Sequence, residues 1–236
     1  MRVLGLIPAR GGSKGIQRKN VRALGGRPLL AYTAEAALSA RTLSRVVLST
    51  EDEEIADLGR ALGLDVPFLR PAALADDEAP MLSVVQHVLS ALEGAGDRYD
   101  AVCLLQPTNP LRTAETIDAC VQLLERSGAD AAVTVLPIPT EHNPHWAFEV
   151  GADGFLRLTT GEAQPITRRQ DLPPAFHREG SVYVTRVPVV LAGSLYGGRL
   201  VGLEVRPDQS VNLDEPGDWA RAETLLAAGA RAPAGS

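Results

Sequence analysis

The chain has 236 residues, 45% hydrophobic and 22% charged, with 22 glycines, 17 prolines and a formal net charge of -6. That size suits one domain, or one domain with a sizeable insertion; the acidic balance argues against a general nucleic-acid binder, and having only Cys103 and Cys120 as cysteines excludes a disulfide framework. No apolar stretch reaches the length of a membrane span, and Pro8 interrupts the first apolar run too early for a signal peptide, so a cytoplasmic protein is expected.

The apolar run Val3–Ile7, ended by Pro8, predicts a buried strand. A glycine-rich cationic loop follows it: Ile7-Pro-Ala-Arg-Gly-Gly-Ser-Lys-Gly-Ile-Gln-Arg-Lys-Asn20. Pro28 suits a helix opening, and Leu29, Leu30, Thr33, Ala37 and Leu38 keep helical spacing. Arg45–Ser49 predicts a second strand. Thr50 is expected to cap the next helix, with Glu51, Asp52 and Glu53 in its first turn and its end near Gly63. Asp65–Leu69 reads as a third strand and Leu82–Leu92 as a helix ended by Gly94 and Gly96. Ala101–Leu105 is a fourth strand, holding Cys103; Cys120 falls in a helical pattern, and both thiols are expected to be reduced and buried. The polar loop Gln106-Pro-Thr-Asn-Pro-Leu-Arg112 comes next, then a helix capped by Thr113 and running to about Ser127, then a fifth strand, Ala131–Leu136.

Strands alternating with helices predict right-handed βαβ units, an α/β fold with a mostly parallel, twisted sheet. Ligands on such sheets sit outside the carboxyl ends of the strands, so the loops 8–20 and 106–112 are expected to share one crevice. Residues 137–180 break the rhythm with Pro, His, Arg and the aromatics Trp146, Phe148, Phe155 and Phe176, which suits a flap or an arm packed on a second subunit. Ser181–Thr185 and Leu200–Val205 read as strands, Pro216–Ala228 as a closing helix, and Arg231–Ser236 as a frayed tail. One domain is expected over 1–236, with 137–180 inserted as flap or dimerisation segment.

Only two lysines occur, Lys14 and Lys19, both in the first loop; every other cation among the 23 is arginine. In a chain so biased, a retained lysine points to a need for a compact ammonium. Residues 1–34 carry seven cations (Arg2, Arg10, Lys14, Arg18, Lys19, Arg22 and Arg27) and no acid. A glycine-rich cationic loop after an apolar strand suits a polyphosphate: backbone N–H groups approach it and fixed charge holds it. The loop is no P-loop, and Gly11, Gly12 and Gly15 lack the spacing of a dinucleotide fingerprint. A triphosphate site built on Arg10, Lys14 and Lys19 is what these residues leave.

The first loop resembles the opening motif of the acylneuraminate cytidylyltransferases, the CMP-sialic acid synthetases. Further matches follow in order: Leu69-Arg-Pro-Ala-Ala-Leu-Ala75, Leu105-Gln-Pro-Thr-Asn-Pro-Leu-Arg-Thr113, Arg169-Gln-Asp-Leu-Pro173, Gly180-Ser-Val-Tyr183 and Asn212-Leu-Asp-Glu-Pro-Gly-Asp-Trp219. The resemblance spans nearly the whole chain and implies a nucleotide-diphospho-sugar transferase-like, Rossmann-like three-layer fold. It also implies a reaction: CTP and a nine-carbon α-keto acid sugar give the CMP-sugar and pyrophosphate, with Mg2+.

The resemblance implies nucleotide binding by Pro8, Ala9, Arg10, Gly11, Gly12, Ser13, Lys14, Asn20, Arg70 and Ala79, with Arg10 and Lys19 at the phosphates. It implies sugar contacts from Gln106 and Thr108, while Arg169 and Gln170, beside Arg168, offer donors to the sugar carboxylate. Asp214 is implied as metal ligand and catalytic residue, in a turn where the family has two aspartates; here the first is Asn212, an amide that can still ligate. Against these stand plainer readings: an ion pair between Arg70 and the cluster Asp76-Asp77-Glu78, a helix cap for Asp214, a helix acid for Asp218, and structural pairing for Arg112. His142, His145 and His177 are loosely spaced and read as flap residues rather than a metal cluster.

Several departures from the family pattern bear on substrate. Trp146 stands near the place of a family lysine, Phe176-His-Arg-Glu-Gly-Ser181 replaces F-R-x-N-G-A, and Pro80 and Met81 replace small serines. The expected activity is that of a CMP-nonulosonic acid synthetase, a homodimer in the cytoplasm without nucleic-acid or membrane partners. The alternatives are a cytidylyltransferase for another acidic sugar (legionaminic, pseudaminic or 3-deoxy-octulosonic) and a non-catalytic CTP-sensing module. The octulosonic enzymes carry A-R-x-x-S-T-R where this chain has Ala9-Arg-Gly-Gly-Ser-Lys-Gly15, and Asn212 is the feature that favours a sensor.

Overall fold

The structure is a computed structural model and describes residues 1–229 apart from 13, 14 and 77. The predicted tail, and Asp77 in the acidic cluster, lie outside the described residues. Strand β1 (Val3–Pro8) is buried along its whole length, as its unbroken apolar run requires of a central parallel strand. The small ribbon β2 (Ala23–Leu24) and β3 (Arg27–Pro28) leads into helix α1 (Leu29–Ser39). Then follow β4 (Arg45–Ser49), α2 (Glu53–Ala61), α3 (Met81–Gly94), β5 (Ala101–Leu104), α4 (Ala114–Ser127) and β6 (Ala131–Pro137). An antiparallel hairpin, β7 (Phe148–Val150) with β8 (Leu156–Leu158), stands in the inserted segment. The chain closes with β9 (Phe176–Arg186), α5 (Val187–Leu191), β10 (Leu200–Glu204) and α6 (Pro216–Gly229).

The main sheet has the order β10-β6-β9-β5-β1-β4. All neighbours in it run parallel except β9, which is antiparallel to both β5 and β6. The sheet is therefore mostly parallel, as expected. Alternation along β1 builds two apolar layers: Val3 and Ile7 pack with Leu30, Ile117 and Leu124 on the α1–α4 side, while Leu4 and Leu6 pack with Val85, Val88 and Leu92 on the α3 side. A third cluster joins Ile16 and Leu29 to Val211, Leu213, Trp219 and Ala222, so the cationic loop is pinned to the C-terminal helix.

Most predicted elements occur where the sequence puts them, and Thr113 caps α4 by accepting from the Thr116 N–H at 3.3 Å. Three differ. The strand expected at Asp65–Leu69 is a single bridge between Asp65 and Val47, because Pro67 has no N–H to continue a ladder. The cap of α2 is Asp52, whose carboxylate accepts from Ile55 at 3.0 Å; Thr50 instead accepts the Asp52 N–H. Strand β9 begins at Phe176 rather than Ser181, since residues 176–178 pair with Val135–Pro137 beyond an irregularity in the β6 register.

The inserted segment has more order than its composition suggests. Besides the hairpin it is tied by the Asn143 amide donating to Pro173 O at 3.0 Å and the Trp146 indole donating to Ile166 O at 2.5 Å. Its hairpin presents Phe148, Val150, Phe155 and Leu156 to solvent, each more than half exposed. Both cysteines are free and buried, and burial pushes their thiols up, that of Cys120 to about 12.

Candidate active site

Two predicted loops meet at the carboxyl ends of β1 and β5 and line a cleft of about 280 Å³. Pro8, Arg10, Gly12, Lys19, Asn20, Arg70 and Ala79 line it, together with Gln106 and Thr108. Nine of the sequence-derived candidates are thus brought to one place. Leu74, Asp76, Met81 and Val84 complete the wall. Ser13 and Lys14, expected at the phosphates, lie outside the described residues.

Lys19 is the best-defined cation. Its side chain is 14% exposed, its Nζ donates to Leu213 O at 2.7 Å, and Asp214 Oδ1 lies 3.9 Å away. Burial lowers its pKa below the usual lysine value; Asp214 opposes that shift and Arg10 adds to it. The Leu213 N–H in turn donates to Thr108 O at 2.9 Å. One short segment, 213–214, therefore ties the cationic loop to the loop after β5. Gly15 allows the approach: a Cβ built there would fall on Asp214 O.

Asn20 is 7% exposed and donates from its amide to Arg10 O at 2.9 Å, so it shapes the loop from inside. Arg70 is 5% exposed, and among the described residues its carboxylate partner is Glu51 rather than Asp76 or Glu78. Its guanidinium donates to Ala9 O at 3.2 Å, Ser49 O at 2.8 Å and Leu74 O at 3.3 Å, and its Nε has no hydrogen-bond partner. Burial lowers its pKa, Glu51 raises it and Arg10 lowers it further. A buried guanidinium in a cleft wall with an unused donor is suited to receive an acceptor from a ligand.

The Ala9 side chain is 1% exposed and packs in the core, and the Gly11 N–H is taken by Glu51 Oε1 at 2.7 Å. Arg112 has the structural role: it is buried, donates to Ser181 O at 2.7 Å, to Thr33 Oγ1 at 3.1 Å and to Gln106 O, and burial lowers its pKa to about 10. It thereby fixes the backbone of Gln106 at the cleft.

Arg169 and Gln170 are not in the cleft. They line a separate hollow of about 460 Å³ with Thr140, Asn143 and Phe176, at the base of the inserted arm. Arg169 donates to Thr140 Oγ1 at 3.2 Å, and Arg168 is a surface partner of Asp171 at 2.6 Å. The histidines do not converge: His145 contacts Glu162 at 2.9 Å, His177 contacts Arg178 O, and no group of three or more metal-binding side chains occurs among the described residues.

Asp214 stands at the rim of the cleft, its side chain 66% exposed. Asn212 Nδ2 donates to its Oδ2. Asp218, not Asp214, serves the turn before α6, accepting from the N–H groups of Asp214 at 3.0 Å and Glu215 at 2.8 Å. One exposed carboxylate beside a lysine fits a hard cation that takes most of its ligands from phosphate and water.

Glu51 and Glu179 are site residues that the sequence reading missed as such. Glu179 is 8% exposed and accepts from Asn109, from Ser210 Oγ at 2.7 Å, and from the N–H of Ser181 at 3.0 Å as well as its hydroxyl. It joins the loop after β5, strand β9 and the segment leading to Asp214. No local pattern marks either glutamate.

The cytidylyltransferase family model matches residues 4–183. The chain belongs to that family and is a nucleotidyltransferase. It is 33% identical to the CMP-N,N'-diacetyllegionaminic acid synthase of Legionella pneumophila over 96% of this chain and 97% of that one. It is 38% identical to the N-acylneuraminate cytidylyltransferase of Escherichia coli over 95% of this chain and 52% of that one, and 35% identical to the pseudaminic acid cytidylyltransferase of Campylobacter jejuni over 78% of each. Among solved structures, a CMP:2-keto-3-deoxy-manno-octonic acid synthetase complexed with CTP superposes with a TM-score of 0.74 at 16% identity, covering 97% of this chain and all of that one. That likeness concerns the fold.

Proposed function

We propose that this enzyme transfers CMP from CTP to the anomeric hydroxyl of a nonulosonic acid and releases pyrophosphate. The observation that carries the reading is the cleft, where Arg10, Lys19 and Arg70 gather beside Gln106 and Thr108 at the carboxyl ends of the central strands. End-to-end similarity to a legionaminic acid synthase supports an acidic nine-carbon acceptor. In the step itself, the sugar oxygen bonds to the α-phosphorus, the bond to the bridging oxygen breaks, and pyrophosphate leaves with that electron pair. The hydroxyl proton passes to solvent.

Charge grows on the leaving group, so the protein contributes positioning and fixed positive charge. Lys19 is suited to this because Leu213 O holds its ammonium in place before any ligand arrives. Arg70 anchors the nucleotide through its unused donor. Gln106 and Thr108 orient sugar hydroxyls. Asp214, assisted by Asn212, would hold a Mg2+ ion, which when bound neutralises phosphate charge.

Arg169 and Gln170 line a hollow separate from the first cleft, and the arm carrying the exposed Phe155 and Val150 has an apolar face to cover. A homodimer in which each arm completes the other's sugar site reconciles both. The enzyme would work in the cytoplasm, where CTP is made.

The test is pyrophosphate release from CTP and Mg2+ with a panel of sialic, legionaminic, pseudaminic and 3-deoxy-octulosonic acids. Release with a nine-carbon acid supports the reading. Release only with the eight-carbon acid moves the specificity, and CTP binding without turnover on any acid makes the chain a sensor.

A further inference from the structure

We infer that the turn Thr50-Glu51-Asp52 between β4 and α2 is an acidic clamp that holds the cationic loop in its nucleotide-accepting shape before nucleotide arrives. Glu51 is its positioning residue at the start of the loop, and Asp52 at the far end.

At the start, Glu51 Oε1 accepts the Gly11 N–H at 2.7 Å, across forty residues of sequence. Its Oε2 lies 3.6 Å from Arg70 Nη2 and has no hydrogen-bond partner, so this carboxylate is the near counter-charge of the buried guanidinium in the cleft wall. The same guanidinium holds Ala9 O, one residue before Arg10. At the far end, Arg18 reaches back to the same turn. Its two terminal nitrogens donate to Asp52 Oδ2 and to Glu54 Oε2, with a longer contact to Asp52 Oδ1 at 3.3 Å. Arg18 adopts a φ of 51°, a left-handed conformation uncommon for an arginine.

The clamp is itself rigid. Asp52 caps α2 and Thr50 Oγ1 accepts the Asp52 N–H at 3.1 Å, while β4 supplies Ser49 O to Arg70 and to the Ala9 N–H. The backbone at Gly11 rests against it so closely that a Cβ there would fall on Asp52 Oδ2. The ion pair with Arg18 keeps the Asp52 carboxyl below the usual range. None of Arg18, Glu51 and Asp52 lines the cleft. Their charges act on the loop from behind. A loop with three glycines between residues 10 and 16 would otherwise lose much backbone freedom on binding, and that loss would weaken affinity.

This inference rests on the cleft's binding CTP, and the experiment separates the two. Full-length parent, Arg18→Ala, Glu51→Ala and Glu51→Gln are compared by hydrogen exchange of the peptide over residues 8–20 without nucleotide, by calorimetric titration with CTP, and by melting temperature. Faster loop exchange is expected in Arg18→Ala and Glu51→Ala, with CTP affinity weakened roughly five-fold in each and melting within a few degrees of the parent. Glu51→Gln keeps an acceptor for Gly11 and is expected to recover most of the exchange protection. Parent-like exchange in both alanine variants overturns the clamp, and so does weakened affinity without faster exchange. If the parent itself fails to bind CTP, the reading of the cleft falls, while the exchange comparison still decides whether the loop is held this way.

Discussion

Replacing Lys19 tests the centre of the proposed mechanism. In Lys19→Met the Leu213 carbonyl loses its 2.7 Å charged donor, and Asp214 loses the ammonium 3.9 Å away. Leaving that carbonyl unpaired costs about 1–2 kcal/mol, offset in part because a desolvated charge is also removed. Spread over a chain of this size, that is a melting drop of a few degrees. The catalytic loss is larger. A preorganised donor directed at transition-state charge is worth about 3 kcal/mol, so kcat should fall roughly a hundred-fold. Lys19→Arg keeps the charge but not the compact head that fits between Leu213 O and the cleft, and kcat should fall about ten-fold or more. The pH profile gives an independent check. Burial holds the Lys19 pKa below 10.5, so between the folded and unfolded values the unfolded chain binds more protons and stability rises with pH, while activity falls as the folded ammonium loses its proton. The alkaline limb of kcat/KM should therefore lie below the value of a free lysine and vanish in Lys19→Met. Steady-state pyrophosphate release at saturating sugar measures all three. Parent-like kcat and KM for CTP in Lys19→Arg, with unchanged turnover in Lys19→Met, would refute the reasoning.

Glu179→Gln places an amide among donors from Asn109, Ser210 and Ser181. It should cost about 2 kcal/mol and lower the melting temperature by roughly 4–8 °C; an unchanged melt would show that the network carries little energy. Asp214→Ala should nearly abolish turnover with little change in melting, because the side chain is exposed and Asp218 holds the turn. Asn212→Asp should lower the Mg2+ concentration for half-maximal rate, since an added carboxylate favours a hard cation; an unchanged Mg2+ titration in both variants would place the metal elsewhere. Val150→Ser with Phe155→Ser removes two side chains that are 71% and 72% exposed on the arm hairpin. Light scattering at micromolar concentration should report a dimer for the parent and monomer for the variant, and a fully active monomeric parent would end the shared-site idea.

What the sequence discloses, and what it hides, divides by range. β1 and β4 are legible because a buried parallel strand is a continuous apolar run, and the start of α4 because Thr113 is a local cap. The cationic loop is legible because its lysines and glycines stand together, and nine candidates do share one cleft. The errors have two sources, a local breaker and a distant partner. Asp65–Leu69 has strand-like side chains, yet Pro67 denies it a ladder. Thr50 and Asp52 are both credible caps, and the choice goes to Asp52, which α2 shares with Arg18 34 residues away. Arg169 and Gln170 are legible as carboxylate donors from their residue types, and the fold places them in the hollow at the foot of the arm rather than in the first cleft.

The acids are the hardest to read. Glu51 looks like one more first-turn helix acid, and Glu179 like a polar residue in a loop, since nothing beside either one in sequence says what it holds. Glu51 meets Gly11 across 40 positions, and Glu179 meets Asn109 across 70. A binding loop of glycines and cations draws attention because it must face the ligand; the carboxylates that keep such a loop from collapsing or straying face the other way. The absence of acids through residue 34 sharpens this point. A cationic segment without internal counter-charges has to borrow them from elsewhere in the fold, and it does so from the β4–α2 turn for Arg18 and from Asp214 for Lys19. Where such a loop is found by sequence, the search for its positioning residues therefore belongs at the turn after the neighbouring parallel strand, whose carboxyl end the fold places beside it.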